Sequence, residues 1–153
     1  MTQNVLECQV SGKPITQGSV SPIPYRRKGG KLGVSVFQKP ELLSWRDNIK
    51  NTFFDKYPEL KDAPNFDKST PLKATLVFGL EKPKTVKRTN VTTKPDLDKL
   101  IRAVFDALTG VAYVDDSQVV CICNTRKIYT IGTGWVLIRI ERYIEGDESY
   151  EVK

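Results

Sequence analysis

Histidine is absent from this 153-residue chain, and cysteine occurs only three times, as Cys8, Cys121 and Cys123. Without histidine, Ser-His-Asp catalysis, Cys-His catalysis and zinc hydrolysis that depends on histidine ligands are excluded. Three cysteines cannot all pair within one chain, which is typical of a reducing compartment, and they are too few for a thiolate metal site. We therefore predict buried, apolar cysteines. Any chemistry must use carboxylates, Lys, Arg, Tyr, Ser or a metal held by oxygen atoms.

Long apolar runs are also missing. No stretch approaches the roughly 18 consecutive apolar residues of a membrane span. The first residues, MTQNVLECQVSG, lack the basic and apolar regions of a signal peptide. We expect a cytoplasmic protein with no membrane partner. The length suits one domain over residues 1–153, with a polar tail from about residue 145.

Positive charge is concentrated in two stretches that contain no acid, although the whole chain has a formal net charge of only +6. Their cations are Arg26, Arg27, Lys28 and Lys31 in the first stretch, and Lys82, Lys84, Lys87, Arg88 and Lys94 in the second. Both stretches are poor in apolar residues, so we predict surface loops. Two cationic loops on a small domain indicate a polyanionic partner, and plain solvated surface is the alternative. A membrane surface is less favoured, because neither stretch is an amphipathic helix.

The spacing of apolar residues predicts the element order β-α-β-α-β-β. The predicted strands are Val5–Val10, Leu72–Leu80, Val119–Tyr129 and Trp135–Ile144, and the predicted helices are Lys39–Tyr57 and Asp96–Leu108. The sequence TIGTG predicts a hairpin between the last two strands, and Ser11–Phe37 is predicted to be a long irregular segment. We therefore expect a single α+β domain, in which both helices pack on a small mixed sheet.

Acidic residues gather around the second predicted helix, with Asp96 and Asp98 at its start and Asp115 and Asp116 in the turn that follows. A helix N-cap and the helix dipole explain the first pair in structural terms, and Asp98 can also pair with Arg102 on the surface. Asp115 and Asp116 repel each other unless a cation lies nearby. An extended connection is about as long as the helix, so the four carboxylates can meet but need not. Such an oxygen-only cluster suits Mg²⁺ or Mn²⁺, which can activate water against a phosphodiester.

The stretch PDLDKLIRAVFDALTG, followed closely by DDSQV, resembles the RusA family of Holliday-junction resolvases of bacteria, phages and prophages. The specific resemblance covers about Lys94 to Val120, and Trp45-Arg46 in the first predicted helix agrees more loosely. It implies a homodimer that cuts branched DNA, namely four-way junctions, by paired nicks in DNA recombination and repair. The implied cofactor is Mg²⁺, with Mn²⁺ as a substitute.

The resemblance also implies roles for single residues. Asp96, Asp98 and Asp116 become the catalytic and metal-binding acids, and we add Asp115 as a metal ligand. Arg102 stands where the family usually has a lysine, so it can stabilise charge but cannot give up a proton. Lys99 replaces a common asparagine and joins the DNA-binding cations. Asp106 lies outside this set and is expected to support the fold or the site.

Two other interpretations stay open from the sequence. One is a catalytically silent DNA-binding protein of the same fold, since Arg102 replaces the usual lysine. The other is a broader nuclease that acts on flaps, replication forks or RNA. The cationic stretch Lys82–Lys94 is expected to lie close to the site in either case, because it runs directly into Asp96.

Overall fold

The computed structural model describes residues 2–18, 22–36 and 38–146. Its strands are β1 (Val5–Ser11), β2 (Pro22–Arg26), β3 (Leu32–Val36), β4 (Leu72–Glu81), β5 (Val119–Ile122), β6 (Arg126–Thr130) and β7 (Trp135–Arg142). Its α-helices are α1 (Pro40–Lys56) and α2 (Leu97–Leu108), and 3₁₀ turns cover Pro58–Lys61 and Asp116–Gln118.

Strand β4 is the centre of a five-stranded mixed sheet. It pairs antiparallel with β7, where Ala74 faces Ile140, and β7 pairs antiparallel with β1. On its other side β4 runs parallel to β5 and β6. Along this central strand, Leu72, Ala74 and Leu76 to Leu80 are buried. The predicted α+β domain with a small mixed sheet is thereby confirmed.

Both helices cover the sheet with one apolar stripe each. Four residues of α1 at helical spacing are buried, namely Leu42, Trp45, Ile49 and Phe53. The stripe of α2 buries Leu100, Ala103, Val104, Ala107 and Leu108. These side chains join those of β1, β4 and β7 in one core. Since each large apolar side chain contributes about 1.5–3 kcal/mol when fully buried, this core fixes the position of α2, which has acids at its start and at its third turn.

The segment predicted to be irregular contains the two-stranded sheet β2–β3, so that prediction was wrong for Pro22–Val36. The cationic turn at its tip has Gly29 and Gly30 at φ of +99° and +84°, a conformation that favours glycine. The Arg27 N–H closes the turn on the Lys31 carbonyl at 2.6 Å. Tyr25 and Leu32 are exposed, so these two apolar side chains do not mark a buried face of the strands.

The predicted hairpin between the last two strands was also wrong, because β4 lies between β6 and β7. The connection crosses the end of β4, where the Trp135 indole lies so close to Gly79 that any added Cβ would overlap it. The Trp135 Nε1 then donates to the Thr130 hydroxyl at 3.0 Å. The predicted strand Val119–Tyr129 is interrupted as well: Asn124 has φ of +50°, and β5 and β6 are separate segments.

Cys8 lies in the core as predicted, and burial raises the pKa of its thiol to about 11. Cys121 and Cys123 are only half-buried, and no disulfide joins the three cysteines. Among the helices in the described ranges, none has both the length and the apolar character that a membrane span requires.

Candidate active site

The first acids lie where the chain enters α2. Asp96 occupies the N-cap position with extended φ and ψ of −71° and 134°, but its carboxylate makes no capping hydrogen bond. It pairs instead with Lys99, one turn along, at 3.3 Å. Both side chains are about half exposed, at 47% and 48%, so this pair contributes little to stability. The Asp96 carboxylate is therefore held near the surface and accessible to a large ligand.

Asp98 and Arg102 follow on the same helix, and both are exposed. The surface pair between them that the sequence allows is not formed: within the described ranges, Arg102 makes no ion pair with Asp98 or with Asp106. A guanidinium stays charged at any ordinary pH. Arg102 therefore presents an un-neutralised positive charge beside the first-turn acids.

Asp115 caps the 3₁₀ turn that follows α2. Its carboxylate accepts the Ser117 N–H at 2.9 Å, and the Gln118 side chain accepts the Asp115 N–H at 3.0 Å, which together form a capping box. Gln118 is buried and donates to the carbonyls of Asp67 and Thr70. Hydrogen bonding from Ser117 holds the pKa of Asp115 below its ordinary value. This network fixes the turn, and with it the residue after Asp115.

Asp116 follows Asp115 in this turn and meets Asp106 from the third turn of α2. Burial raises the pKa of Asp116, and the carboxyls of Asp115 and Asp106, both in hydrogen-bonding contact with it, raise it further. Tyr113 lies beneath this pair, fully buried, and its hydroxyl donates to the Phe105 carbonyl at 2.9 Å. Burial raises the pKa of Tyr113 strongly, so its phenol stays protonated. Asp106 and Asp116 thus share a partly desolvated, negatively charged position.

Gln17 joins this position from the far end of the sequence. Its Nε2 donates to Asp106 Oδ2, and its backbone N–H donates to the Lys99 carbonyl at 3.0 Å. No pattern in the sequence points to it, because it is a single amide in a segment rich in Gly, Pro and Ser, and 89 residues separate it from Asp106. Asp106 was expected only to support the fold or the site, and the structure places it directly against a predicted catalytic acid.

The predicted acids therefore form two groups along α2. Asp96 and Asp98 belong to the first turn of α2. Asp116 lies beside Asp106 of the third turn. Along the helix axis, Asp98 and Asp106 are about 12 Å apart. In the part of the chain that the structure describes, no three or more His, Cys, Asp or Glu side chains are already arranged to hold a metal. The donor chemistry nevertheless fits Mg²⁺, which usually takes one or two carboxylates and completes its shell with water and phosphate oxygens.

The cationic loop Lys82–Lys94 borders a cavity of about 430 Å³. Its charged lining consists of Lys13, Glu81, Lys82, Lys84, Arg88 and Lys94. Lys82 and Arg88 lie over the Tyr129 ring, at 5.7 and 6.0 Å from its centroid. Lys13, Lys94 and Pro95 also line a second cavity, which reaches Asp96 and Lys99. The positive surface thus leads to the first-turn acids.

Residues 14–141 match the sequence profile of the endodeoxyribonuclease RusA. The chain belongs to the RusA endodeoxyribonuclease family. No individual curated protein matches it. The matched region contains α2, the turn that carries Asp116 and the cationic loop, and the RusA family acts on branched DNA junctions as an endonuclease.

The RusA match does not assign roles to residues, but the structure shows where each predicted DNA contact lies. Lys87 is exposed on the cationic loop without lining its cavity. The four cations of the other stretch, which are Arg26, Arg27, Lys28 and Lys31, lie exposed on the β2–β3 hairpin. Sequence reasoning missed Lys13, which lines both cavities. It also missed Lys127, whose Nζ donates to the carbonyls of Thr93 and Pro95 at 2.7 and 2.8 Å and so ties the loop to β6 just before Asp96.

Proposed function

We propose that this RusA-family protein is a Mg²⁺-dependent endodeoxyribonuclease that resolves four-way DNA junctions by paired, symmetric nicks. One observation carries the proposal: a cation-lined surface runs into Asp96, and the acids continue from there along α2 to Asp116. Cations bind backbone phosphates, and carboxylates bind the metal that assists cleavage. The proposed location is the cytoplasm.

Asp96, Asp98 and Asp116 are the residues proposed to hold Mg²⁺ or Mn²⁺, with Asp115 as a further ligand. When bound, the metal supplies an activated water and stabilises the charge that develops on phosphorus and on the leaving oxygen. The exposure of Asp96 and Asp98 supports this assignment, because a duplex arm can approach them. The half-buried position of Asp116 beside Asp106 supports it too, because two adjacent carboxylates attract a cation.

Arg102 is proposed to bind the scissile phosphate or its developing charge. Its exposed guanidinium, which neither Asp98 nor Asp106 neutralises within the described residues, supports this role. Lys99 holds Asp96 in the DNA-free protein at 3.3 Å and can move to a phosphate when DNA binds. The cations of the loop Lys82–Lys94 and of the β2–β3 hairpin are proposed to contact separate stretches of the DNA backbone, so binding should weaken as salt rises.

A homodimer is part of the proposal, since an isologous pair presents two equal sites to a symmetric junction. The two edges of the sheet differ in a way that supports it. The β1 edge is covered, because Lys56 and Tyr57 of the α1 end bond to the Glu7 backbone. The β5 edge carries Val120 and Ile122, which are 59% and 48% exposed. Exposed apolar edge strands favour association, so β5 is the proposed contact.

A cleavage assay with matched substrates tests the function. Purified protein is incubated with a four-way junction, a fork, a flap and a linear duplex of shared sequence, in Mg²⁺ and in EDTA. Symmetric nicks in the junction alone, lost in EDTA, are expected. Equal cutting of forks and flaps would indicate the broader nuclease instead. Cutting that persists in EDTA would contradict the proposed metal dependence.

A silent DNA-binding protein is the second candidate, because Arg102 replaces the usual family lysine. It predicts salt-sensitive junction binding without nicks in Mg²⁺ or Mn²⁺. Arg102→Lys separates the two candidates. If the parent is inactive and Arg102→Lys cuts junctions, the silent DNA-binding protein is supported. If the parent itself cuts junctions, that candidate is excluded.

A further inference from the structure

Gln17 is buried in an unusual way for a polar side chain in a loop. Only 5% of its surface is exposed, and its Oε1 is buried without a hydrogen-bond partner in the described part of the structure. An unpartnered buried oxygen is unfavourable, and most such groups have a partner. The other end of the amide does have a partner, because Nε2 donates to Asp106. The amide head is therefore held at the acid pair Asp106 and Asp116 with one oxygen unused.

The orientation of this amide follows from charge. Turning it over would place Oε1 against the Asp106 carboxylate and bring two acceptors together. The orientation with Nε2 on Asp106 is therefore the favoured one, and Oε1 must find its partner elsewhere. The backbone N–H of Gln17 is fixed on the Lys99 carbonyl at 3.0 Å, which prevents the segment from simply moving away.

The amide of Gln17 lies at a position where several acids meet. Asp116 is in hydrogen-bonding contact with both Asp106 and Asp115. Among the described residues, neither Asp106 nor Asp116 takes part in an ion pair. Two carboxylates and an amide oxygen, all hard oxygen ligands, thus come together at one position, and neither carboxylate is in an ion pair with a described residue. This is the donor set that Mg²⁺ and Mn²⁺ prefer.

We propose that Gln17 Oε1 and the Asp106 carboxylate, together with Asp116, form a binding position for a divalent cation. The inference rests on the proposed function, in which Asp116 is already a metal ligand, and it adds two ligands that the sequence did not suggest. Gln17 has a second task in this arrangement, because its backbone bond to Lys99 connects the position to the first turn of α2.

Calorimetric titration of the DNA-free protein with Mn²⁺ tests the inference directly. The variants are Gln17→Met and Asp106→Asn, with Gln9→Met on β1 and Asp55→Asn on α1 as matched controls at exposed positions. Both test variants should weaken Mn²⁺ binding by about tenfold or more, and both controls should bind as the parent does. Unchanged affinity in both test variants would overturn the inference, as would a parent that binds no Mn²⁺.

Gln17→Glu distinguishes a ligand from a simple hydrogen-bond donor. The new carboxylate faces Asp106, so the metal-free variant should melt at a lower temperature than the parent. Mn²⁺ should then raise its melting temperature by more than it raises that of the parent, because the cation gains a charged ligand. A loss of stability that Mn²⁺ does not recover would show that Gln17 serves Asp106 only as a donor, and would overturn the inference.

Junction cleavage measured on the same preparations separates this inference from the proposed function. If the parent cuts junctions, and Gln17→Met and Asp106→Asn bind Mn²⁺ as the parent does, the proposed function stands and the inference fails. Mn²⁺ binding that depends on both residues, in a parent that cuts no junction, would leave the inference standing and remove the function.

Discussion

The two ends of α2 carry acids in very different environments. At the first turn, Asp96 and Asp98 are at least partly exposed, and the only recorded ion pair there within the described residues is Asp96 with Lys99. At the third turn, Asp106 meets Asp116, which is partly desolvated and has a raised pKa. The first group is open to a large ligand, and the second concentrates negative charge.

The same contrast exists between two adjacent residues. Asp115 and Asp116 are chemically identical, yet hydrogen bonding to Ser117 lowers the pKa of one and burial beside Asp106 raises the pKa of the other. Residue type and position in the motif therefore do not decide the behaviour of a carboxyl group. The contacts of each carboxyl group decide it: Asp115 accepts hydrogen bonds from Ser117, whereas Asp116 is partly buried and contacts Asp106.

The largest expected effect comes from replacing Asp116, with the same replacement at Asp115 for comparison. Asp116→Asn should lower junction cleavage at least about 100-fold while junction binding persists, because the variant loses a charged metal ligand. Asp115→Asn should cost no more than about tenfold, because asparagine caps a helix as well as aspartate and still offers an oxygen. Initial rates and gel-shift affinities of both variants measure the difference. Equal losses would show that the capping role of Asp115 does not set it apart.

Substitutions of Arg102 test the exposed group at the first turn of α2. Arg102→Ala should reduce cleavage by about 10- to 100-fold, since it removes a charge aimed at phosphate. Arg102→Lys should stay within a few-fold of the parent if only charge is required. Single-turnover rates at saturating protein give the comparison. A lysine variant much faster than the parent would indicate a proton-transfer role that arginine cannot fill.

The acid pair at the third turn should leave a signature in stability against pH. The folded protein holds the Asp116 proton more tightly than the unfolded chain does, so stability should fall as pH rises from the ordinary value of 3.8 through the raised pKa. Asp106→Asn removes one of the carboxyls that raise the Asp116 pKa, so the stability of this variant should fall less over the same pH range. Urea denaturation in EDTA between about pH 4 and pH 7 measures it. Parallel curves for parent and variant would contradict the proximity of the two acids.

The smallest effect is expected at the pair Asp96–Lys99. Lys99→Asn should change the free energy of unfolding by less than about 0.5 kcal/mol, because both partners are half exposed. Its effect on junction binding should be a modest weakening that shrinks at high salt. Chemical denaturation and binding at two salt concentrations check both points. A loss of stability above about 1 kcal/mol would mean that the first turn is less open than its exposure indicates.

Periodicity in the sequence was enough to locate the elements whose apolar residues face the core. The stripe of α2 and the run of β4 are examples, and they are the elements that carry or precede the acids. Periodicity did not locate the β2–β3 hairpin, where apolar residues such as Tyr25 and Leu32 are exposed. The crossing of β6 and β7 around β4 depends on the fit of Trp135 over Gly79, a contact between distant residues.

The candidate site also contains residues that the sequence located and one residue, Gln17, that it did not. The motif pointed to Asp96, Asp98 and Asp116, and whether they act together stays a prediction. Gln17 could not be foreseen, because it reaches Asp106 across 89 residues of chain. Local sequence indicates where an acid sits on its helix, and only tertiary structure brings a remote amide to it.

The most direct test of the account asks whether the two ends of α2 act as one catalytic site. Junction cleavage is measured for Asp98→Asn, Asp116→Asn and the double variant, with junction binding as a control for folding. Residues that work as a unit give strongly non-additive losses. We expect each single variant to lose at least about 100-fold and the double variant to lose little more. Losses that multiply in the double variant would contradict a shared site and assign the two ends to separate tasks.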